Sequence, residues 1–514
     1  MRLNILIGGK AGQGINKVSE IVSKTLSNYG WFTFNYRDYQ SLIRGGHNFN
    51  VLSIADEWIA SHESKVDGII AMDENTAKIH QKELKKDGFI LTENGFEDLG
   101  INLNVALAGA LIKILGIEKK YILDEIKEQF HNKESIAAAE KGYNSQKQLF
   151  SLKKLENKMR IINGNEGITQ GAIYSKIDHY FAYPMTPATE IIHKLAALAE
   201  KNNLRVVLPE NEIAVINMAL GANFSGARSL VGTAGGGFDL MTESLSFQGQ
   251  SEIPLVVYLA SRPGPSTGVP TYTSQDDLDV SLRAGHGEFP RIVMAPGDPV
   301  ECTELLNQAF YLSEKFNTLS LVLSDKHLAE SEYSINKPVH NILNIESKRK
   351  IPQKNGIVKA SSYEHDENGN TVESPEEIIQ GVKGRLKKYE EIKKEVKKFK
   401  MIKIHKNKQN KDSKNLIIGW GSTKGAIIDA INSDNLDAKF LQVLYLKPLS
   451  DEIRKEIEKA KNVILVENNV TGQLGRLIRE KTGFKIEEKN RILQYDGRPF
   501  TSDELKNEIK KRLK

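Results

Sequence analysis

The chain has 514 residues, too many for one compact domain, and length alone predicts roughly three. Hydrophobic residues make up 39% and charged residues 27%, an ordinary globular balance, and no run of about 18 apolar residues exists, which excludes a helical membrane span. The net charge of +5 is small for this length and no aromatic–basic interleaving accompanies the lysines, so nucleic acid is not an expected partner, nor is a membrane.

The single cysteine, Cys302, excludes an internal disulfide, and an iron–sulfur cluster typically needs four thiolates. No HExxH or Cys/His cluster occurs, so no metal ligand is expected on this chain. The N-terminal apolar stretch at 3–7 is too short for a signal peptide and runs into glycines, so a first strand is expected; the single intact thiol and the globular composition predict a cytoplasmic protein.

Residues 3–7 read as a buried strand, then a glycine loop at 8–14 and a helix from about 16 to 28. Residues 32–35, 50–54, 68–72 and 89–91 read as strands and 104–115 as a helix rich in Ala and Leu. This alternation predicts an α/β domain over 1–155 with a mainly parallel sheet. A second α/β domain is expected over 156–330, with strands at 206–208, 229–232, 255–259, 292–294 and 319–323 and helices at 212–224 and 300–315. The polar stretch 331–412 reads as a linker carrying Glu364-His365-Asp366-Glu367 and a lysine-rich surface helix over 375–400. A smaller α/β domain follows at 413–514, with strands at 416–420, 440–445 and 463–466 and helices at 425–432 and 472–481.

Several loops in this pattern carry chemistry. Tyr183-Pro184-Met185-Thr186-Pro187-Ala188-Thr189-Glu190 ends an apolar run and precedes a helical one. Its prolines restrict the backbone, so the Thr186 hydroxyl sits on a rigid turn near a helix N-terminus, which favours anions. Read alone, the octet is equally an ordinary capped turn. Glu210-Asn211-Glu212 places a carboxylate at the start of a helix of small residues, where it complements the dipole or serves a ligand. Thr233-Ala234-Gly235-Gly236-Gly237 allows a backbone or a ring to approach closely. Arg262-Pro263-Gly264-Pro265-Ser266-Thr267-Gly268 is a stiff loop after a core strand, and Arg262 can grip a carboxylate with two N–H bonds, with Thr271 as a further hydroxyl. In the first domain, Gly12-Gln13-Gly14 suits a phosphate-bearing ligand or a tight turn, and Arg44-Gly45-Gly46-His47-Asn48 a turn with a solvated arginine.

Together these motifs resemble the 2-oxoacid:ferredoxin oxidoreductases, and specifically an alpha subunit with a gamma domain fused at its N-terminus, the 2-oxoglutarate-type arrangement. In the last domain Gly419-Trp420-Gly421-Ser422-Thr423-Lys424-Gly425, Val466-Glu467-Asn468-Asn469 and Tyr495-Asp496-Gly497-Arg498-Pro499-Phe500 fit the same family. The resemblance implies three α/β domains: a Rossmann-like gamma domain, a thiamine-diphosphate pyrimidine-binding-type domain and a transketolase C-terminal-like domain. It implies oxidative decarboxylation of a 2-oxoacid with coenzyme A to acyl-CoA, CO2 and reduced ferredoxin, a reversible reaction. The chain lacks the Gly-Asp-Gly motif that holds Mg²⁺ and the diphosphate in this family. A separate beta subunit is therefore expected to supply those sites and the [4Fe-4S] cluster, in an (alpha-beta)2 heterotetramer.

By resemblance Glu212 is the glutamate that bonds the aminopyrimidine ring of thiamine diphosphate. Tyr183, Pro184, Thr233 and Gly235 join it around the cofactor. Thr186 and Arg262, with Thr271, bind the 2-oxoacid. Gly12, Gln13, Gly14 and Arg44 are candidates for coenzyme A. Two features depart from the family pattern: Met185 stands where isoleucine is common, and Thr233-Ala234-Gly235-Gly236-Gly237 replaces Thr-Ser-Gly-Pro-Gly. The competing readings are a scaffold subunit that keeps the fold without catalysis, and another thiamine-diphosphate enzyme of transketolase type.

Overall fold

The computed structural model describes residues 1–42, 45–347, 349–353, 357–407, 412–434 and 436–513. They form two compact units. The first comprises Met1–Asn163, Glu330–Lys337 and Phe500–Asn507, and the second Gly164–Ala329, Pro338–Pro499 and Glu508–Lys514. Among the described residues no helix is long and apolar enough to cross a membrane.

The first unit holds a seven-stranded sheet in the spatial order Leu84–Thr92, Val66–Ala71, Arg2–Ala11, Gly45–Ala55, Phe32–Asp38, Glu332–Ile335 and Arg160–Asn163. The expected mainly parallel sheet is corrected here. Arg2–Ala11 and Val66–Ala71 are parallel, as are Val66–Ala71 and Leu84–Thr92, but the remaining pairs are antiparallel. The link from Asp38 to Gly45 is too short for a crossover, so Gly45–Ala55 turns back as a hairpin partner. Its first residues, Gly45 to Asn48, therefore begin a strand where a turn was expected.

Residues 332–335, expected in the linker, are a strand of this sheet. Tyr333, Ser334 and Ile335 are all buried, Phe34 meets Tyr333 edge-on at 5.0 Å, and Glu332 pairs with Arg37. Four residues in a polar stretch, buried on both faces by their neighbours, show no period that could be seen without those partners. Helices Ile15–Asn28, Leu103–Ile114, Lys119–Phe130 and Lys133–Ser145 pack on the strands, and their apolar faces form one core with Ile5, Ile7, Leu52 and Ile70.

The second unit holds two sheets. In one the order is Tyr445–Lys447, Arg291–Met294, Leu319–Asp325, Leu255–Ser261, Ser229–Thr233, His179–Ala182 and Arg205–Val207. All neighbours are parallel except the first pair. Strands buried on both faces, such as Leu255–Ser261, are continuous apolar runs because helices cover both sides. In the other sheet the order is Ile402–Lys406, Lys439–Val443, Asn415–Trp420, Asn462–Glu467 and Arg491–Leu493. The two sheets share one hydrophobic core, to which Leu259, Val293 and Leu321 contribute from the former and Ile418, Leu441 and Leu465 from the latter. The surface helix runs from Pro375 to Val396 and is capped by Ser374, with Ile392 and Val396 buried.

Buried charge ties the sheets further. Glu301, on helix Pro299–Phe316, accepts from Lys424 at 2.6 Å and Lys403 at 2.7 Å, while its other oxygen accepts from Gln442 at 2.6 Å and the Gly297 amide at 2.8 Å. Lys424 also pairs with Asp298. Burial raises the Glu301 carboxyl, but Lys424 and Lys403 outweigh it and hold it well below the carboxylate range. Burial lowers the Lys424 ammonium, and Asp298 and Glu301 reverse that and raise it.

Candidate functional site

Parallel strands deliver their carboxyl ends to one edge of a sheet, where ligands bind in α/β folds. Here four of them stop level. Ala182 lies opposite Gly232, Thr233 opposite Leu259, and Phe181 opposite Val207. The segments that follow are the octet from Tyr183, the glycine turn from Thr233, the stiff loop from Arg262, and residues 208–212 leading to Glu212.

In the octet, Tyr183 and Pro184 are exposed, Met185 and Thr186 half-buried, and Pro187 buried. The turn is fixed from below. Asn165 donates to the Pro187 carbonyl at 2.9 Å, and the Ala188 amide donates to the Met185 carbonyl at 2.9 Å. Helix Thr189–Asn202 begins directly after it, as the prolines require.

Glu212 is the first residue of helix Glu212–Phe224 and is 6% exposed. Asn211 caps that helix, accepting from the Ala214 amide at 2.9 Å, which leaves the Glu212 carboxylate free of capping duty. Its position is defined by Gly237. A Cβ at Gly237 would fall 2.3 Å from Thr233 Oγ1 and 2.7 Å from both Glu212 Oε1 and Met185 Sδ. An acid, a hydroxyl and a thioether therefore crowd against this glycine, and only its lack of a side chain lets them meet there. Thr233 Oγ1 and Met185 Sδ are 3.8 Å apart. In this cradle Glu212 and Thr233 offer polar side-chain atoms, the kind of groups that hydrogen-bond the edge of a flat heteroaromatic ring.

Arg262 joins this group. It is 9% exposed, and its Nη1 donates to the Thr186 carbonyl at 2.8 Å. Burial pulls its guanidinium below the ordinary value, against the nearby charges of Asp277 and Glu212. The structure thus brings together Thr186, Glu212, Thr233 and Arg262, although they lie far apart in sequence. Thr271 is buried, and its Oγ1 has no hydrogen-bond partner among the described residues. Such an orphan is what a ligand-binding hydroxyl leaves. Gly235 faces Asp277 rather than the Gly237 cradle.

Sequence reasoning did not find Asp277, which starts helix Leu278–Arg283 and accepts the Ser261 hydroxyl at 2.8 Å. The only signal was an acid at a helix start, which most helices carry. Nor did it find Gln275. That side chain donates to the Trp420 carbonyl at 2.9 Å and accepts the Asn468 amide at 2.9 Å, while the Gln275 amide donates to the Asn468 carbonyl. Glu467 is fully buried and accepts from Trp420 Nε1 at 3.0 Å and from Asn469 at 3.1 Å. Arg498 stacks over the Tyr272 ring at 3.8 Å. The motifs of the last segment therefore brace residues 272–277 from beneath.

In the first unit the glycine loop is shorter than expected, because strand Arg2–Ala11 runs through Gly8 and Gly9. The turn is Gly12-Gln13-Gly14, with φ of 92° and 88° at the two glycines. Gln13 is committed to the backbone, accepting from the Lys10 amide at 2.6 Å and donating to the Met72 carbonyl at 3.1 Å. Nothing lies within 4 Å of a Cβ at Gly12. Arg44 lies outside the described residues.

Gly237→Ala is expected to fold while weakening thiamine diphosphate binding about tenfold or more, since overpacking a tight site costs about 1–3 kcal/mol. Cofactor titration of the reconstituted enzyme measures it, and unchanged affinity would place the ring elsewhere.

A parallel α/β sheet whose carboxyl edge carries a buried acid beside a glycine cradle and a buried arginine has the groups that a cofactor-assisted enzyme needs. Residues 170–401 match the family model "Pyruvate flavodoxin/ferredoxin oxidoreductase, thiamine diP-bdg", and residues 4–102 match "Pyruvate ferredoxin/flavodoxin oxidoreductase". Together the two matches span more than half of the chain. A 2-oxoacid:ferredoxin oxidoreductase subunit alpha from a Sulfolobus species is 29% identical, covering 100% of this chain and 97% of that one. The 2-oxoglutarate synthase subunit KorA of Archaeoglobus fulgidus is 38% identical over 34% of this chain and 51% of its own length. In fold the chain is similar to the 2-oxoglutarate:ferredoxin oxidoreductase of Magnetococcus marinus, solved with 2-oxoglutarate, coenzyme A and succinyl-CoA bound, with a TM-score of 0.90, 24% identity and full coverage of both chains. The chain belongs to the 2-oxoacid:ferredoxin oxidoreductase family and is similar over its whole length to the family's alpha subunits.

Proposed function

We propose that this chain is the alpha subunit of an enzyme that converts a 2-oxoacid, coenzyme A and two oxidised ferredoxins into acyl-CoA, CO2, a proton and two reduced ferredoxins, reversibly. The observation that carries this reading is the convergence of Glu212, Thr233 and Met185 on the Gly237 cradle, beside Arg262. Thiamine diphosphate, when bound, supplies the carbon nucleophile that attacks the keto group and accepts the electrons left by decarboxylation. Glu212 holds the aminopyrimidine ring through a charge-assisted hydrogen bond, roughly twice as strong as a neutral one. Thr233 and Gly235 shape the glycine turn beside that ring, and Tyr183 and Pro184 form the exposed rim. Arg262 takes the substrate carboxylate on the N–H groups that Thr186 does not use, and Thr186 and Thr271 offer hydroxyls to the substrate oxygens. Gly12, Gln13 and Gly14 present a helix N-terminus and an open glycine to coenzyme A. Arg44 is proposed as a further coenzyme A contact on its sequence position alone.

A beta subunit completes the site. It carries the diphosphate and Mg²⁺ positions and the [4Fe-4S] cluster that passes electrons to ferredoxin, since one buried cysteine cannot hold a cluster. Large apolar side chains around the site support such a partner: Tyr183, Leu208, Ile213, Met218 and Leu240 are all exposed. The proposed assembly is an (alpha-beta)2 heterotetramer in the cytoplasm.

The test is to purify the chain alone and with its partner. Coenzyme A-dependent viologen reduction is expected from the complex and not from the chain alone. Turnover by the isolated chain would overturn the two-subunit reading. A panel of pyruvate, 2-oxoglutarate and branched 2-oxoacids then ranks the substrates.

A further inference from the structure

Asp277 stands where three segments of the site meet. Its Oδ2 accepts the hydroxyl of Ser261, the last residue of the strand before Arg262. A Cβ on Gly235 would fall 2.7 Å from each of its carboxylate oxygens, so the carboxylate lies against the glycine turn. Arg262, the residue after Ser261, donates to the Thr186 carbonyl, and the charges of two nearby acids, Asp277 and Glu212, act on its guanidinium. The other charged groups that act on Asp277 are Asp276, which precedes it, and Asp239 on helix Gly235–Leu240; both add negative charge, and Arg262 opposes them.

One guanidinium thus already answers two carboxylates. A substrate carboxylate docking on Arg262 is a third, and it brings uncompensated negative charge into a partly desolvated site. The least costly response is to neutralise one acid. Of the two acids that act on Arg262, Glu212 is committed to the cofactor ring on the proposed reading, which leaves Asp277.

We infer that Asp277 couples substrate binding to proton uptake: its carboxylate takes a proton from solvent when the carboxylate of a 2-oxoacid docks on Arg262, and releases it when the site empties. Burial already supports this, raising the Asp277 carboxyl to about 6 despite the Ser261 hydrogen bond and the Arg262 charge. The inference rests on the reading that Arg262 takes the substrate carboxylate. It makes Asp277 a positioning residue that tunes affinity through Arg262.

The experiment is calorimetric titration of the reconstituted complex with oxamate and with N-oxalylglycine, unreactive isosteres of a mono- and a dicarboxylic 2-oxoacid, in two buffers of different ionisation heat. Near pH 7 roughly half a proton or more is expected to be taken up per site, against less than about a tenth in Asp277→Asn. Ser261→Ala removes a donor that favours the ionised carboxyl and is expected to move maximal uptake to higher pH, which keeps the inference testable if Asp277→Asn does not fold. Binding without buffer-dependent heat in the unmodified enzyme, or uptake unchanged in both variants, overturns the role of Asp277 and leaves that of Arg262 standing. Failure of both isosteres to bind, or equal affinity in Arg262→Met, overturns the role of Arg262 itself.

Discussion

Glu212→Gln in the reconstituted enzyme is expected to lower kcat roughly 30- to 1000-fold, the loss of about 2–4 kcal/mol of transition-state stabilisation. The amide keeps the volume of the side chain and the helix start, and Asn211 still caps the helix, so the fold is expected to survive. The loss is of the charge-assisted contact in a site that Glu212 reaches while nearly buried. Steady-state rates, with circular dichroism and cofactor affinity as controls, measure it. Unchanged turnover would favour the scaffold reading, because a subunit without chemistry has no use for that carboxylate.

Lys424→Met is expected to destabilise the chain by about 3–5 kcal/mol, since it leaves Glu301 and Asp298 without their main partner in a buried place. Lys403, more exposed, is then the remaining cation on Glu301. The effect depends on pH in a defined direction. Glu301 has a folded value below its unfolded one, so its stabilisation is complete above about pH 4.3 and is lost as the pH falls. Lys424 has a folded value above its unfolded one, so its share is complete below about pH 10.4 and is lost as the pH rises. Between these limits the variant is expected to unfold at lower temperature and lower urea, and its acid limb to flatten. Wild-type stability in the variant would mean that the network contributes nothing net.

Much of the second unit could be read before folding. Helix Glu212–Phe224 has the expected bounds, and the strands at 229, 255, 291 and 319 start within a residue of expectation. These are long, one-sided or fully apolar patterns whose period survives without partners. The first unit resisted in two places. The strand Gly45–Ala55 opens with two glycines and polar residues, which read as a turn, and pairs antiparallel because its neighbour is a hairpin partner. The strand Glu332–Ile335 is too short to show a period and comes from a distant part of the chain.

The candidate site divides in the same way. Residue type and local order named Thr186, Glu212, Thr233 and Arg262, because a proline-framed turn, a capped helix start, a glycine run and a stiff loop each have a local physical cause. That Glu212 and Met185 meet at Gly237, that Arg262 spends a bond on Thr186, and that Asp277 loads the same guanidinium all depend on strands that pair across long sequence separations. Pairing register decides which loops stop level, and no local pattern encodes register between strands some twenty-five or more residues apart. The sequence by itself determined which groups this protein has to offer; the tertiary structure decided which of them share one charge.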